Sequence, residues 1–550
     1  MSERGRRQRR IGEILARQGL GYLLDEVGFE HLRSLRRSRG GQGPGVGSRS
    51  PAERLRLAME ELGPTFIKIG QLLSTRADLL PAEYRLELAR LQDAAPHLPP
   101  EVAREVISTE LGVGIESAFA TFEFEPLAAA SIGQAHAATL PDGTEVVVKV
   151  RRPGAVEDVN QDLEILQNFA ARASRRWEAA APYDLVGLAD EFAQTLRGEL
   201  DYLHEGRNAQ RFAANFAGDT DVQIPNVFWE TTTSRVITLE RIRGLKIDDV
   251  AGLEAAGIDR GKLMQRATDV MAKMVFQDGF FHADPHPGNF FIQSGGRIGI
   301  IDFGMVGSLD DRLRGQLGRL LVALTREDPH RVARALVALG ATTGPVDIGP
   351  LTDDLAELLS RYQGGPLGDI ALGTVTGELL ELARRYGLRI PRDLALLVKT
   401  FIEQEGVAAQ LDPDFRLITA LAPAASSQLA AGISPAAMAQ RLEHVGLDLA
   451  ELTLDLPDQL QDVLERLATG GLEVHLRAAE LEPLLARGER LANRIAASVL
   501  AAALIDGLAL LLTADRGRRP PPGALRRFGA VSGIGVLGAY AAQRRFGHPR

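Results

Sequence analysis

Residues 282–289 read His282-Ala283-Asp284-Pro285-His286-Pro287-Gly288-Asn289, and a second block, Ile300-Ile301-Asp302-Phe303-Gly304, follows shortly after. An Asp, an Asn five residues later and a further Asp inside Asp-Phe-Gly are the polar groups of a metal-nucleotide phosphoryl-transfer site. The first Asp positions the acceptor, while the Asn and the later Asp hold magnesium against the phosphates. The run Arg297 to Ile301 reads as a strand that delivers Asp302 to such a site. Asp-Phe-Gly by itself is a common strand-ending turn, so the reading rests on the whole set. His282 and His286 are four apart, but Pro285 and Pro287 break the helix that a zinc-binding pair would need.

Upstream, Lys149 stands in Val146-Val147-Val148-Lys149-Val150, after a Pro-Asp-Gly turn at 141–143, which predicts a β-hairpin. In the protein-kinase pattern a strand lysine pairs with nucleotide phosphates and with a helix glutamate. A lone lysine in a valine-rich strand is ordinarily a solubilising residue; its place ahead of Asp284 and Asp302 favours the phosphate role. The segment Glu199 to Asn208 supplies the acids, and Glu205 is the expected partner of Lys149. Asp201 and Glu205 share a helix face, whereas Glu199 is turned away from Glu205, so the acids could serve two different lysines. The Gly-rich phosphate loop is missing. Ala128, Ala129, Ala130 and Ser131 stand in its place, and alanine resists the φ > 0 conformations that glycine allows. A small-residue turn between strands is the plainer account of the same loop.

The chain has 550 residues and no cysteine, which excludes disulfides, thiolate catalysis and Cys-based metal sites. No secretory signal is visible. Residues 1–50 carry 11 Arg against 5 acids, and residues 516–550 carry 8 Arg and no acid, in a chain of net charge −9. The middle is therefore strongly acidic, which argues against nucleic acid, while the basic ends suit an anionic membrane surface. A short amphipathic helix is expected around Ile11 to Leu24. Two apolar segments, Ile495 to Leu512 and Phe528 to Ala542, flank an Arg- and Pro-rich link and suggest a membrane-associated helical hairpin. The first sits at the lower length limit for spanning a bilayer and the second falls below it.

With Lys68-Ile69-Gly70-Gln71, the alanine-rich loop, Lys149, Glu199-Leu200-Asp201, Glu205, Asp284, Asn289 and Asp302 in this order, the chain resembles the UbiB/AarF/ADCK family of unorthodox kinases. Glu405-Gly406-Val407-Ala408 and Leu411-Asp412-Pro413 extend the likeness, which covers about residues 50 to 512. The resemblance implies an α+β, protein-kinase-like bilobal fold. A basic flexible segment (1–50) would precede a helical extension with the K-x-G-Q motif (51–115), an N-lobe with inserted helices (116–244) and a helical C-lobe (245–490). Apolar helices (491–550) would close the chain. It implies ATP and magnesium as cofactors: Lys149 on the phosphates, oriented by Glu205; Asn289 and Asp302 on the metal; Asp284 at the acceptor; Glu240 beside the adenine. Lys68 would pair with Glu199 and clamp the extension over the site where a protein substrate would otherwise bind. The family's link to ubiquinone and other isoprenoid lipids implies a membrane lipid or quinone precursor as partner, with the catalytic body in the cytoplasm. The rival reading is a nucleotide-sensing, lipid-binding protein with negligible hydrolysis.

Overall fold

The computed structural model describes residues 3–20, 49–74, 79–91, 97–130, 132–176, 185–342, 346–361, 372–412 and 415–431. The apolar segments at 495–512 and 528–542 lie outside the described residues, as does Ser131. Among the described residues no helix is long and apolar enough to cross a membrane.

Helix α1 (Glu3–Arg17) opens the chain. The extension follows as α2 (Pro51–Leu62), α3 (Pro64–Ser74) and α4 (Ala82–Leu88). Ser50 caps α2 through the Glu53 amide, and Pro51 and Pro64 start their helices where a missing N–H costs nothing. After α5 (Pro100–Leu111) and a single turn α6 (Ile115–Ala118), the smaller lobe is a five-stranded antiparallel sheet. Its strands are β1 (Thr121–Phe122), β2 (Ala128–Ala129), β3 (Gly133–Thr139), β4 (Glu145–Arg151) and, later in the chain, β6 (Val236–Glu240). The β3–β4 hairpin turns at the expected Pro-Asp-Gly, with Gly143 at φ 89°.

The period of two along β4 builds both a core and a cleft. Val146, Val148 and Val150 are buried against Ile107, Phe119 and Val236, each contributing about 1.5–3 kcal/mol by burial. Val147 and Lys149 point the other way, into the cleft. Three helices follow, α7 (Ala155–Arg176), α8 (Leu185–Glu199) and α9 (Tyr202–Asn215), of which α9 packs against β6. Ile69 and Leu72 of α3 pack against Val159 and Leu163 of α7 and against Phe192 and Leu196 of α8.

The larger lobe starts at β5 (Val222–Gln223) and contains β7 (Leu245–Lys246), α10 (Val250–Ala255), α11 (Arg260–Ala272), β8 (Phe280–His282), β9 (Phe290–Ile292), β10 (Ile298–Ile300) and β11 (Val306–Ser308). Its small sheets include those of order β5-β10-β9-β7 and β11-β8 and a third that pairs Ala341–Thr342 with Leu388–Arg389. Helices α12 (Asp311–Thr325), α13 (Pro329–Leu339), α14 (Ile348–Ser360), α15 (Leu372–Arg385), α16 (Arg392–Leu411) and α17 (Leu417–Ala431) complete it around one large apolar core.

The N-terminal segment departs from expectation. The helix runs over Glu3–Arg17 rather than Ile11 to Leu24, and Gly19 at φ 73° follows its end. Residues 3–17 are also docked rather than flexible. Ile11 and Ile14 bury against Ala58, Leu62 and Ile165, and Arg7 grips the buried Asp162 carboxylate with two bonds of 2.7 Å. Arg4 with Glu164 and Arg17 with Glu61 add two exposed ion pairs to this fork and the apolar packing.

Candidate active site

An open cleft of about 670 Å³ lies between the lobes. Lys68, Lys149, Glu199, Glu205, Glu240, Asp284, Asn289 and Asp302, which the sequence scatters over more than two hundred residues, all line it.

Lys149 is the hub. Its Nζ donates to Glu205 Oε1 at 2.6 Å and lies 3.2 Å from Asp302 Oδ2. Glu205 reaches it from the first turn of α9, a helix capped by Asp201, whose side chain accepts from the Leu203 amide at 3.0 Å. Burial alone would lower the Lys149 ammonium. Asp302 and Glu205 outweigh it and hold Lys149 above the usual lysine range. Burial dominates at Glu205 and raises its carboxyl, with Lys149 acting against it. Burial would also raise Asp302, but the Lys149 charge and the Gly304 amide bring its carboxyl down to about 2.

Asp302 has φ 61°, a left-handed conformation uncommon outside glycine and tolerated best by Asp and Asn. Its surroundings hold it there. His282 Nε2 donates to the Asp302 carbonyl at 2.6 Å, and the Asp284 amide donates to His282 Nδ1 at 3.3 Å. A carbonyl can only accept and an amide N–H can only donate, so these partners fix the neutral Nε2–H tautomer. Burial lowers the His282 pKa in the same sense. The next residue, Phe303, is fully buried against Phe212, with ring centroids 5.1 Å apart.

On the opposite wall, Asn289 Nδ2 donates to the Asp284 carbonyl at 2.9 Å and to its Oδ2 at 3.2 Å. Pro287–Asn289 form a 3-10 turn, and His286 accepts from the Gly288 amide at 3.1 Å. Neither histidine is placed to hold a metal. Among the described residues no group of three or more His, Cys, Asp or Glu gathers around a possible ion. An ionised Asp and an Asn on one cleft suit magnesium nonetheless, because that ion completes its shell from phosphates and water.

The alanine-rich loop is a hairpin. Ala128 and Ala129 pair with Ala135 and Gln134, and the Ala130 amide bonds the Gly133 carbonyl at 2.8 Å. Ala128 and Ala130 line the cleft; Ala129 does not. Gly133 has a steric reason: a Cβ there would sit 2.2 Å from the Tyr202 hydroxyl. Glu240 stands where the strand leaves the smaller lobe, but its carboxylate is engaged by Gln223 Nε2 and Asn226 Nδ2, each at 2.8 Å. It brings no free carboxylate to the cleft. Lys68 Nζ of α3 lies 3.3 Å from Glu199 Oε2, at the end of α8.

Sequence reasoning missed Lys399 and Glu403 of α16. Lys399 Nζ donates to Asp284 Oδ1 at 2.6 Å and lies 3.5 Å from Glu403 Oε1. The one available signal was a Lys and a Glu four apart on a helix.

A two-lobed, protein-kinase-like fold carries this cleft. Residues 90–336 match the model of the ABC1 atypical kinase-like domain, and residues 355–416 that of the UbiB helical domain. A probable protein kinase UbiB of Marinobacter nauticus is 35% identical, covering 83% of this chain and 85% of its own. One from Xanthomonas oryzae pv. oryzae is 34% identical over 92% and 93%. An uncharacterized protein of Synechocystis sp. is 36% identical over 80% and 76%. The chain belongs to the UbiB family of atypical kinase-like proteins.

Proposed function

We propose that the protein is a magnesium- and ATP-dependent phosphotransferase or ATPase of the atypical kinase type. The observation that carries this reading is Lys149 between Glu205 and Asp302, facing Asp284 and Asn289 across one cleft. In this reading Lys149 binds the α- and β-phosphates and Glu205 keeps it aimed. Asn289 and Asp302 would hold magnesium, which supplies charge neutralisation on the phosphates. Asp284 orients the attacking hydroxyl or water. Catalysis comes from positioning and fixed charge, and no covalent step on the protein is needed. With α3 tied to the cleft wall by Lys68 and Glu199, a small acceptor suits the site better than a protein.

Family membership and the Arg-rich ends support a role in ubiquinone or other isoprenoid-lipid metabolism at a membrane, with the catalytic body in the cytoplasm. The test is ATP turnover by the purified protein with magnesium or EDTA, and with or without anionic vesicles. Magnesium-dependent hydrolysis that vesicles stimulate is expected. Absence of both nucleotide binding and turnover overturns the reading.

A further inference from the structure

The catalytic loop from Ala283 to Asn289 contains no lysine or arginine, and Pro285 and Pro287 occupy positions beside Asp284. His286 is turned to the Gly288 amide. The loop therefore has no permanent cation of its own, although Asp284, Asp302 and the phosphates of a bound nucleotide would bring several negative charges together. Helix α16, some 110 residues downstream, supplies one. Lys399 reaches Asp284 Oδ1 while Asn289 holds Oδ2, so both carboxylate oxygens are fixed. The next residue, Thr400, has its hydroxyl 3.4 Å from the His282 carbonyl, so α16 lies along the loop. Glu403, one turn on, meets Lys399 from behind.

We propose that Lys399 is the positioning residue of the transfer step: it holds the Asp284 carboxylate oriented toward the acceptor and balances the charge gathered there. The UbiB helical domain would thereby complete a site that the kinase-like domain leaves short of a cation. This inference rests on the phosphotransferase reading. In the step, a bond forms between the acceptor oxygen and the terminal phosphorus, and the bond from that phosphorus to the ADP leaving oxygen breaks. The acceptor proton passes to Asp284 and then to water. Paired with Lys399, Asp284 is a weak base, which suits a loose transition state in which the attacking oxygen carries little new bonding.

The groups facing Asp284 are Lys399 from α16, neutral His282 from β8, Asn289 from its own loop and Asp302 from the segment after β10.

The test uses the full chain with ATP turnover and nucleotide binding measured separately. Lys399→Met should lower kcat about 100-fold, the scale of a misplaced catalytic group, with the Kd for Mg-ATP within about 2-fold. Lys399→Arg should recover part of kcat. If Lys399→Met fails to fold, Lys399→Met with Glu403→Gln keeps the charge balance of the buried cluster and should show the same two effects. Unchanged kcat or an equal loss of nucleotide affinity overturns the role of Lys399. A wild type that neither binds nor hydrolyses ATP overturns the phosphotransferase reading instead.

Discussion

Asn208 Nδ2 donates to the Phe303 carbonyl at 3.0 Å, joining residues 95 apart in sequence. The bond links the helix that carries Glu205 to the segment that carries Asp302. On α9, Glu205, Asn208 and Phe212 follow at helical spacing and meet Lys149, the Phe303 carbonyl and the Phe303 ring in turn. One helix face thus sets the distance between the two carboxylates that flank Lys149.

Asn208→Ala should separate those two elements. Loss of a buried hydrogen bond that leaves a carbonyl unpaired is expected to cost about 1–3 kcal/mol of stability. Turnover should fall between about 10- and 100-fold through misplacement of Asp302. Denaturant unfolding and steady-state ATP hydrolysis check the two effects.

Asp302→Asn should remove magnesium-dependent nucleotide affinity while the protein stays folded, because asparagine accepts φ 61° and has nearly the same volume. Thermal-shift titrations with ATP in magnesium and in EDTA should differ for the wild type and coincide for the variant. Retained magnesium dependence would remove Asp302 from the metal site.

The Lys68–Glu199 pair is mostly shielded, with side chains 22% and 8% exposed. If it clamps α3 over the cleft, Lys68→Ala and Glu199→Ala should each change turnover, and the double replacement should cost less than their sum. A coupling of about 1 kcal/mol is expected from a double-mutant cycle. Strict additivity would mean that the pair does not hold the extension in the working protein.

Glu403 gives a pH signature. Burial, opposed by Lys399 and reinforced by Asp284, pushes its carboxyl from the ordinary 4.5 up to about 7. The folded protein therefore binds this proton more tightly than the unfolded chain. Stability from this group is fully present below pH 4.5 and is lost as pH rises toward 7. Glu403→Gln should flatten the decline of Tm across that window, as differential scanning calorimetry at several pH values would show. A parallel pair of curves would contradict it.

The ordered motifs made much of this cleft legible in the sequence, because an Asp, an Asn, a strand lysine and a helix glutamate each have a local context that names them. Lys149 and Glu205 meet as the strand and helix periods require, and Lys68 meets Glu199 as the family resemblance implied. Lys399 escaped because nothing around it differs from an ordinary helix surface; only the packing of α16 along residues 282–284 reveals its partner. Glu240 was expected beside the adenine, and its engagement by Gln223 and Asn226 depends on residues that sequence alone does not bring near. Arg7 illustrates the converse. Composition registered a basic terminus, whereas the docking of α1 combines the burial of Ile11 and Ile14 with the Arg7 fork on Asp162.

The left-handed backbone at Asp302 narrows the residues that this position can accept. The proposed metal role asks for a carboxylate, and φ 61° asks for glycine or a short polar side chain. Only aspartate meets both demands. Glutamate would keep the charge but fit the backbone poorly, and glycine would keep the backbone and lose the ligand. The same pinning, by His282 at the Asp302 carbonyl and Asn208 at the Phe303 carbonyl, means that the carboxylate cannot be withdrawn by a main-chain turn alone. Such an excursion must break both hydrogen bonds and unseat the Phe303 ring together, so this segment should switch as a unit and seldom.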